Sequence, residues 1–191
     1  MKKKLTVVSL LALINVLALS AVSYAQPYGV GLYSENVPYG SETSLTISTD
    51  AVGGNVAIPT ITPIDGGALG TATNIVTVTS TDVMGYKLYI GAATSTSMDN
   101  LGTPLLTSAN AYSNPATNPL EDVNRWGYNV DGSIVNFCGM PLDSSRQLIK
   151  TVTTPISGDN TTITYGMKID MAKPAGNYSV GVVYTAVPQT N

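Results

Sequence analysis

The residue types that most often carry out catalysis are scarce in this chain. Its 191 residues include no histidine and a single cysteine, Cys138. Without an imidazole there can be no Ser-His-Asp triad, no Cys-His pair and no histidine ligand for zinc or copper. Because Cys138 lies in an apolar run, residues 135–139, we interpret it as a small buried hydrophobic residue. The alternative is an intermolecular disulfide or a free reactive thiol.

Carboxylates are the remaining source of acid–base chemistry, since a pair of them suffices for glycoside hydrolysis. The sequence holds twelve, and several stand beside turn residues, where a carboxylate usually stabilises the turn. These turn pairs are Asp65-Gly66, Asp99-Asn100, Asp131-Gly132 and Asp159-Asn160. The only adjacent acids, Glu121 and Asp122, would point to opposite faces of a strand. Neither Asp65-Gly66 nor Asp131-Gly132 has the alternating acids of a calcium loop. Because histidine is absent and the carboxylates are mostly placed at turns, we predict a protein without enzymatic activity, metal or cofactor.

Aromatic residues offer the best candidate ligand-binding site. Trp126 and Tyr128 would lie on one face of a strand, where exposed rings can stack against sugars. Tyr112 lies in a Ser-, Thr- and Asn-rich segment, residues 94–118, and could add to the rim of such a site. The competing interpretation is that these rings belong to the core, because a tryptophan buries a large apolar area. The two interpretations differ in whether the rings are exposed.

The first 25 residues have the pattern of a signal peptide. Three lysines, Lys2, Lys3 and Lys4, precede an apolar stretch over residues 5–22, and Ser23 and Ala25 supply the small residues of a cleavage site. The alternative is an uncleaved anchor, because the stretch is nearly as long as the ~20 apolar residues that span a bilayer. We expect cleavage before Gln26 and export, with the product secreted and associated with the cell surface.

Composition limits the partners of the mature chain. Removal of 25 residues leaves 166, the size of one domain. Three of the nine basic residues are lost with the leader, so six basic residues remain against twelve acidic ones and the net charge is −6. Binding to nucleic acid or to an anionic membrane requires clustered lysine and arginine. We therefore expect no nucleic-acid partner and, after cleavage, no membrane span.

The mature sequence alternates β-branched and aromatic runs with Gly, Pro, Asn and Asp. The clearest strand is 161–170, in which Ile163, Tyr165, Met167 and Ile169 share one face and the other face meets water. Residues 178–187 are apolar on one face and partly apolar on the other, which predicts a more central strand. Earlier strands are predicted at residues 44–48, 55–61, 74–80, 86–90, 126–130, 133–137 and 147–153. Asp131-Gly132 predicts a two-residue hairpin between two of these strands.

This spacing of short strands predicts an all-β protein. We expect residues 26–191 to form a single antiparallel β-sandwich of roughly 8–10 strands, immunoglobulin-like or jelly-roll. Residues 94–118 are expected to form a long surface loop, or an excursion with short strands.

The C-terminal motifs resemble those of a known group of surface proteins. Residues 165–168, 174–178 and 182–185 read Tyr-Gly-Met-Lys, Pro-Ala-Gly-Asn-Tyr and Val-Val-Tyr-Thr. This order is similar to the end of secreted bacterial β-sandwich proteins related to the WxL group, although the Trp-x-Leu motif is absent, since Trp126 is followed by Gly127-Tyr128. The resemblance implies a surface-associated role with no catalytic residues. Gly176-Asn177-Tyr178 also resembles the tyrosine corner of immunoglobulin-like sandwiches, whose hydroxyl returns to the backbone.

These patterns favour a secreted or cell-surface structural or adhesion protein that acts through binding surfaces. The alternative is a carbohydrate-binding module that recognises cell-wall or extracellular glycans through Trp126, Tyr128 and Tyr112. Partners would be a cell-wall component, another surface protein, or a second copy joined through edge strands. Residues 26–39 are the best candidate for such a strand, and the alternative is that they pack on their own domain.

Overall fold

The computed structural model describes residues 44–81, 84–120 and 123–189, and these residues form an all-β structure, as predicted. The signal-like leader, residues 26–39 and the Glu121-Asp122 pair lie outside the described residues. A short 3-10 turn, Asp143–Ser145, is the helical element of the described ranges. The strands are β1 Ser44–Thr49, β2 Ala68–Thr81, β3 Tyr86–Ala92, β4 Met98–Asn100, β5 Thr103–Thr107, β6 Arg125–Asn129, β7 Gln147–Val152, β8 Ile156–Ile169 and β9 Val182–Pro188.

The strands form two sheets. One has six strands in the order β1-β2-β8-β6-β5-β4, and the other has three in the order β7-β3-β9. Neighbours run antiparallel except β5 and β6, which pair in parallel over Leu106 with Arg125 and Thr107 with Trp126. The 14-residue strands β2 and β8 form the longest ladder, from Ala68 opposite Ile169 to Ser80 opposite Ile156.

Alternate residues of both sheets point into one hydrophobic cluster. In β8, the predicted inward face is confirmed, because Ile163, Tyr165 and Ile169 are buried and Met167 packs against the cluster. β3 contributes Leu88 and Ile90 from the other sheet. Full burial of such a side chain contributes ~1.5–3 kcal/mol, so this shared core is the main stabilising feature of the described structure.

The opposite face of β8 is only partly exposed to solvent, which differs from the prediction. Thr162 is exposed, but Thr164 is buried and Gly166 lies under the ring of Phe137. A Cβ atom on Gly166 would lie 2.4 Å from Phe137 Cζ, so only glycine leaves room for that ring. A second, outer layer therefore covers the middle of the six-stranded sheet.

The predicted hairpin at Asp131-Gly132 is wrong beyond the turn itself. Gly132 has a φ of 80°, as such a turn requires, but residues 133–137 form no named strand. Side-chain amides bind the carbonyls that a partner strand would have bound: Asn129 Nδ2 donates to Asn136 O at 2.9 Å, and Asn136 Nδ2 donates to Ala116 O at 3.0 Å. The chain rejoins β6 only where Cys138 pairs with Tyr128.

Residues 55–61 also form no strand. Val56, Ile58 and Ile61 nevertheless pack against the core. Pro59 interrupts the segment, however, and its contacts are made by side chains that lie against Gly70 of β2. The strand predicted at residues 55–61 is therefore wrong, and these side chains are buried without pairing of the backbone in a sheet.

The predicted strand at 178–187 begins later, at Val182, and is not central among the described strands. It pairs only with β3, so β9 is an edge of the three-stranded sheet. β8 and β9 lie in different sheets, and the chain crosses between them through a turn closed by Tyr178, whose hydroxyl donates to Pro174 O at 3.0 Å. Within residues 94–118, the short strands β4 and β5 are followed by irregular chain.

Candidate functional site

Trp126 lies inside the protein. The side chain has 0% exposure and belongs to the shared hydrophobic cluster. Its indole Nε1 donates to Thr96 O at 2.9 Å, which satisfies the one polar atom of the ring. The ring therefore presents no face to a ligand in solution.

The structure brings together the other two candidate residues, Tyr128 and Tyr112. Their rings stack with centroids 6.1 Å apart and an interplanar angle of 17°. Tyr128 has 0% exposure, whereas Tyr112 is partly buried and packs against the core. Burial raises the pKa of both hydroxyl groups, and it raises that of Tyr128 strongly. The stack is thus an internal packing contact between the irregular segment and β6.

Cys138 is a free, buried thiol, which confirms its interpretation as a small hydrophobic residue. Its backbone N–H donates to Tyr128 O at 2.8 Å, and its sulfur lies 3.5 Å from the N–H of Ser113. Burial raises the pKa of the thiol, which keeps it protonated and unreactive at neutral pH.

The turn carboxylates of Asp99 and Asp131 bind backbone N–H groups, as their positions in the sequence predict. Asp99 accepts from Gly102 N at 3.1 Å, and Asp131 accepts from Ser133 N at 2.9 Å. Asp50 accepts from Ile75 N at 2.7 Å and thereby fixes the end of β1 against β2. The described part of the chain contains no cluster of three or more groups able to hold a metal ion.

Asp159 has a different role, which its position beside Asn160 did not reveal. It accepts from Lys150 Nζ at 2.7 Å and from the Tyr86 hydroxyl at 2.6 Å, so one carboxylate joins β7 and β3 to β8. Burial alone would raise the pKa of Asp159, but the hydrogen bonds from Lys150 and Tyr86 and the charge of Lys150 outweigh it and lower the pKa. The pKa of Tyr86 is raised by burial and by the same carboxylate.

A second polar contact joins the sheets through tyrosine hydroxyls. Tyr184 of β9 donates to Asn74 Oδ1 of β2 at 2.9 Å and is also hydrogen-bonded to the hydroxyl of Tyr165 on β8. Burial raises the pKa of Tyr184 to about 12. The period-two pattern placed both tyrosines on core faces, but which hydroxyls meet depends on how the sheets pack.

Two clefts of the surface are shallow and lined mainly by polar groups. One lies between Asp131, Lys150 and Thr162, and the other lies between Ser95, Pro104 and Ser179. Neither is lined by the three candidate aromatic residues.

Comparison with known proteins gives no relative: no family model, curated protein or solved structure matches this chain. No helix in the described residues is long and apolar enough to cross a membrane.

Proposed function

We propose that this chain is a secreted or cell-surface structural or adhesion protein that acts through binding surfaces without catalysis. One observation carries the proposal: the side chains that could have taken part in catalysis or ligand binding are packed in the interior of the fold. Trp126, Tyr128 and Cys138 are each at most 2% exposed. What the described surface offers to a partner is therefore backbone edges and weakly charged strand faces.

An immunoglobulin-like sandwich is the form of the fold that we propose. Both sheets contribute to one cluster, and the chain passes from one sheet to the other between β8 and β9. The Tyr178 hydroxyl returns to the backbone at this crossing, as in a tyrosine corner. Such sandwiches commonly serve as binding or spacer domains of surface proteins, which supports the proposed role by analogy.

Export and the relationship to WxL-type surface proteins rest on sequence. The leader supports secretion, and three residues of the C-terminal motif have structural tasks here. Gly166 makes room for Phe137, while Tyr178 and Tyr184 hydrogen-bond through their hydroxyls. A motif that specifies packing is what a shared structural domain would preserve, so partners would be cell-wall components or other surface proteins.

The alternative, a carbohydrate-binding module, has less support. Two of its three candidate rings are fully buried, and the third, Tyr112, stacks on one of them. A sugar-stacking surface requires an exposed aromatic face. Tyr112 is therefore the residue whose replacement separates the two functions.

The test is retention of the exported chain on isolated cell envelopes. The full chain is expressed with its own leader and recovered after export. Its intact mass is measured by mass spectrometry to establish that it begins at Gln26. Wild type and Tyr112→Ala are then incubated with envelopes, with and without soluble cell-wall glycans as competitors. We expect both to be retained equally, without displacement by glycans and without release of sugars or peptides from the envelope.

Tyr89→Ala serves as the matched control, because this partly buried tyrosine lies in the other sheet beneath the guanidinium of Arg146. Displacement by glycans together with a loss specific to Tyr112→Ala would instead establish carbohydrate binding. Release of envelope fragments would establish catalysis, and absence of any retention would refute a surface role.

A further inference from the structure

The two Asp-Gly pairs of the chain, Asp65-Gly66 and Asp131-Gly132, combine two groups that can react with each other. In such a pair the backbone nitrogen of the glycine can attack the side-chain carboxyl group of the aspartate, because glycine has no Cβ to hinder the approach. An intramolecular attack of this kind requires the carboxyl group to rotate into line with the nitrogen. The two pairs differ in how far the folded structure allows that rotation.

The carboxylate of Asp131 is held by two hydrogen bonds. One oxygen accepts from Ser133 N at 2.9 Å, and the other accepts from the backbone N–H of Ala116. The second of these contacts ties the carboxylate to a segment 15 positions earlier in the sequence. Rotation of the carboxyl group towards Gly132 N would break both bonds, and each is a charge-assisted hydrogen bond, which is stronger than a neutral one.

The carboxylate of Asp65 has no such restraint. Asp65 is exposed, and its side chain makes no hydrogen bond or ion pair in the part of the chain that the structure describes. Its turn is closed by the backbone alone, since Gly67 N donates to Ile64 O at 3.0 Å. Gly66 has a φ of 78°, and a Cβ atom on it would have no neighbour within 4 Å. The turn therefore leaves the carboxyl group of Asp65 free to rotate towards Gly66 N.

We propose that Asp65 is a site of spontaneous isomerisation to isoaspartate and that the fold protects Asp131 from the same reaction. The nitrogen of Gly66 forms a bond to Asp65 Cγ, and the hydroxyl of the carboxylic acid leaves with the proton of that nitrogen as water. Water then adds to one carbonyl carbon of the resulting succinimide and breaks the bond from that carbon to nitrogen. Opening at the backbone carbonyl gives isoaspartate, in which the chain runs through Cγ, whereas opening at Cγ restores aspartate. No oxidant or reductant takes part, and the final mass equals the starting mass.

The position of this turn gives the reaction a structural consequence. β2 begins at Ala68, which lies opposite Ile169 of β8. A Cβ atom on the preceding Gly67 would lie 2.8 Å from Val123 Cγ1, so the chain enters the sheet through a close contact. Isoaspartate adds one methylene group to the backbone just before this point. We expect amide hydrogen exchange at the start of β2 to be faster in aged protein than in fresh protein.

Prolonged incubation of the exported full chain at neutral pH, followed by peptide mapping, tests the proposal. Isoaspartate is detected as a peptide of unchanged mass with altered chromatographic retention, and fragmentation in the mass spectrometer locates it. In the folded protein we expect it to form several-fold faster at Asp65 than at Asp131. In urea both pairs lose their structure, so the two rates should become similar. Asp65→Glu is the control and should show no isomerisation at this position, because its longer side chain would have to close a six-membered ring.

Two results would overturn the proposal. One is isomerisation of Asp131 as fast as that of Asp65 in the folded protein, because the hydrogen bonds of Asp131 would then give no protection. The other is the absence of isoaspartate at Asp65 in the folded protein, which would show that the turn restrains its carboxyl group. Envelope retention is measured on fresh protein, so failure of this inference and failure of the surface role give different results.

Discussion

Gly127 and Gly166 face each other across β6 and β8, and together they form the hollow in which Phe137 lies. A Cβ on Gly127 would lie 2.5 Å from Cys138 O, and one on Gly166 would lie 2.4 Å from the Phe137 ring. These two positions require glycine because of the space that its missing side chain leaves. Phe137, with 0% exposure, is thereby held outside the main cluster and seals the outer face of the sheet.

Gly166→Ala should destabilise the protein by ~1–3 kcal/mol, because overpacking forces the Phe137 ring to move. The measurement is the free energy of unfolding in urea. Phe137→Leu lowers stability by itself, but the double variant should be more stable than the sum of the two losses predicts. Strict additivity would contradict the contact. Gly181→Ala is the control, since its added Cβ would lie 3.3 Å from Ala93 Cβ, a tight contact that a small shift relieves.

The carboxylate of Asp159 is the charged group that links three strands. Its pKa is lowered from 3.8 in the folded protein, so its contribution is present above pH 3.8 and is lost as the pH falls through the lower folded value. Asp159→Asn should therefore cost ~1.5–3 kcal/mol of unfolding free energy at neutral pH, as for hydrogen bonds to charged groups. The difference from wild type should shrink as the pH falls below 3.8.

Denaturant unfolding of both proteins over that pH range measures this effect. Asp65→Asn, in an exposed turn, is the matched control and should behave like wild type at each pH. A stability difference that does not change with pH would show that the carboxylate charge is not what joins the strands.

At the scale of elements, the crossing from β8 to β9 is one of several by which the chain passes between the two sheets. The Tyr178 hydroxyl donates to Pro174 O across this turn, and the Tyr178 ring packs against the core. Tyr178→Phe keeps the ring and removes one hydrogen bond, so we expect a loss of ~1 kcal/mol in unfolding free energy. Tyr89→Phe, in β3, should change stability less. Equal effects of the two substitutions would mean that the corner contributes nothing specific.

Strand positions were predictable where burial alternates with period two, as at Ile163 and Tyr165 of β8. The strand predicted at residues 55–61 was wrong although Val56 and Ile58 are packed against the core, because packing of side chains needs no ladder partner. The absence of a strand at residues 133–137 could not be predicted. The side-chain amide of Asn129 binds Ser133 O and Asn136 O there, in place of the backbone of a partner strand. Pairing between distant strands, and with it the edge position of β9, depends on contacts that local patterns do not encode.

The candidate site was likewise predictable from the sequence only in part. Trp126 and Tyr128 were correctly placed on one face of a strand, but the pattern could not tell a core face from a ligand face. That choice depends on what covers the strand: here Tyr112 stacks on Tyr128, and Thr96 accepts from the indole. The contact of Asp159 with Tyr86 joins residues 73 positions apart, beyond the reach of any motif.

At the scale of the whole molecule, the aromatic and charged side chains discussed above lie mainly in the interior of the described structure. Lys150 and Asp159 form an ion pair between the sheets, Trp126 and Tyr128 fill the core, and exposed carboxylates hold turns. The surface that remains has few cations and at least one uncharged strand edge. A molecule of this kind is suited to recognition through the shape of its surface, which is why we propose a structural or adhesive role.

The most direct test of this account is the fluorescence of Trp126, the one tryptophan of the chain. If Trp126 is a core residue, its emission should be blue-shifted, weakly quenched by acrylamide and unchanged by cell-wall glycans, and it should shift to the red on unfolding in urea. Emission typical of a hydrated indole in the folded protein, or a spectral change on addition of glycans, would contradict the account and place the ring in a ligand site.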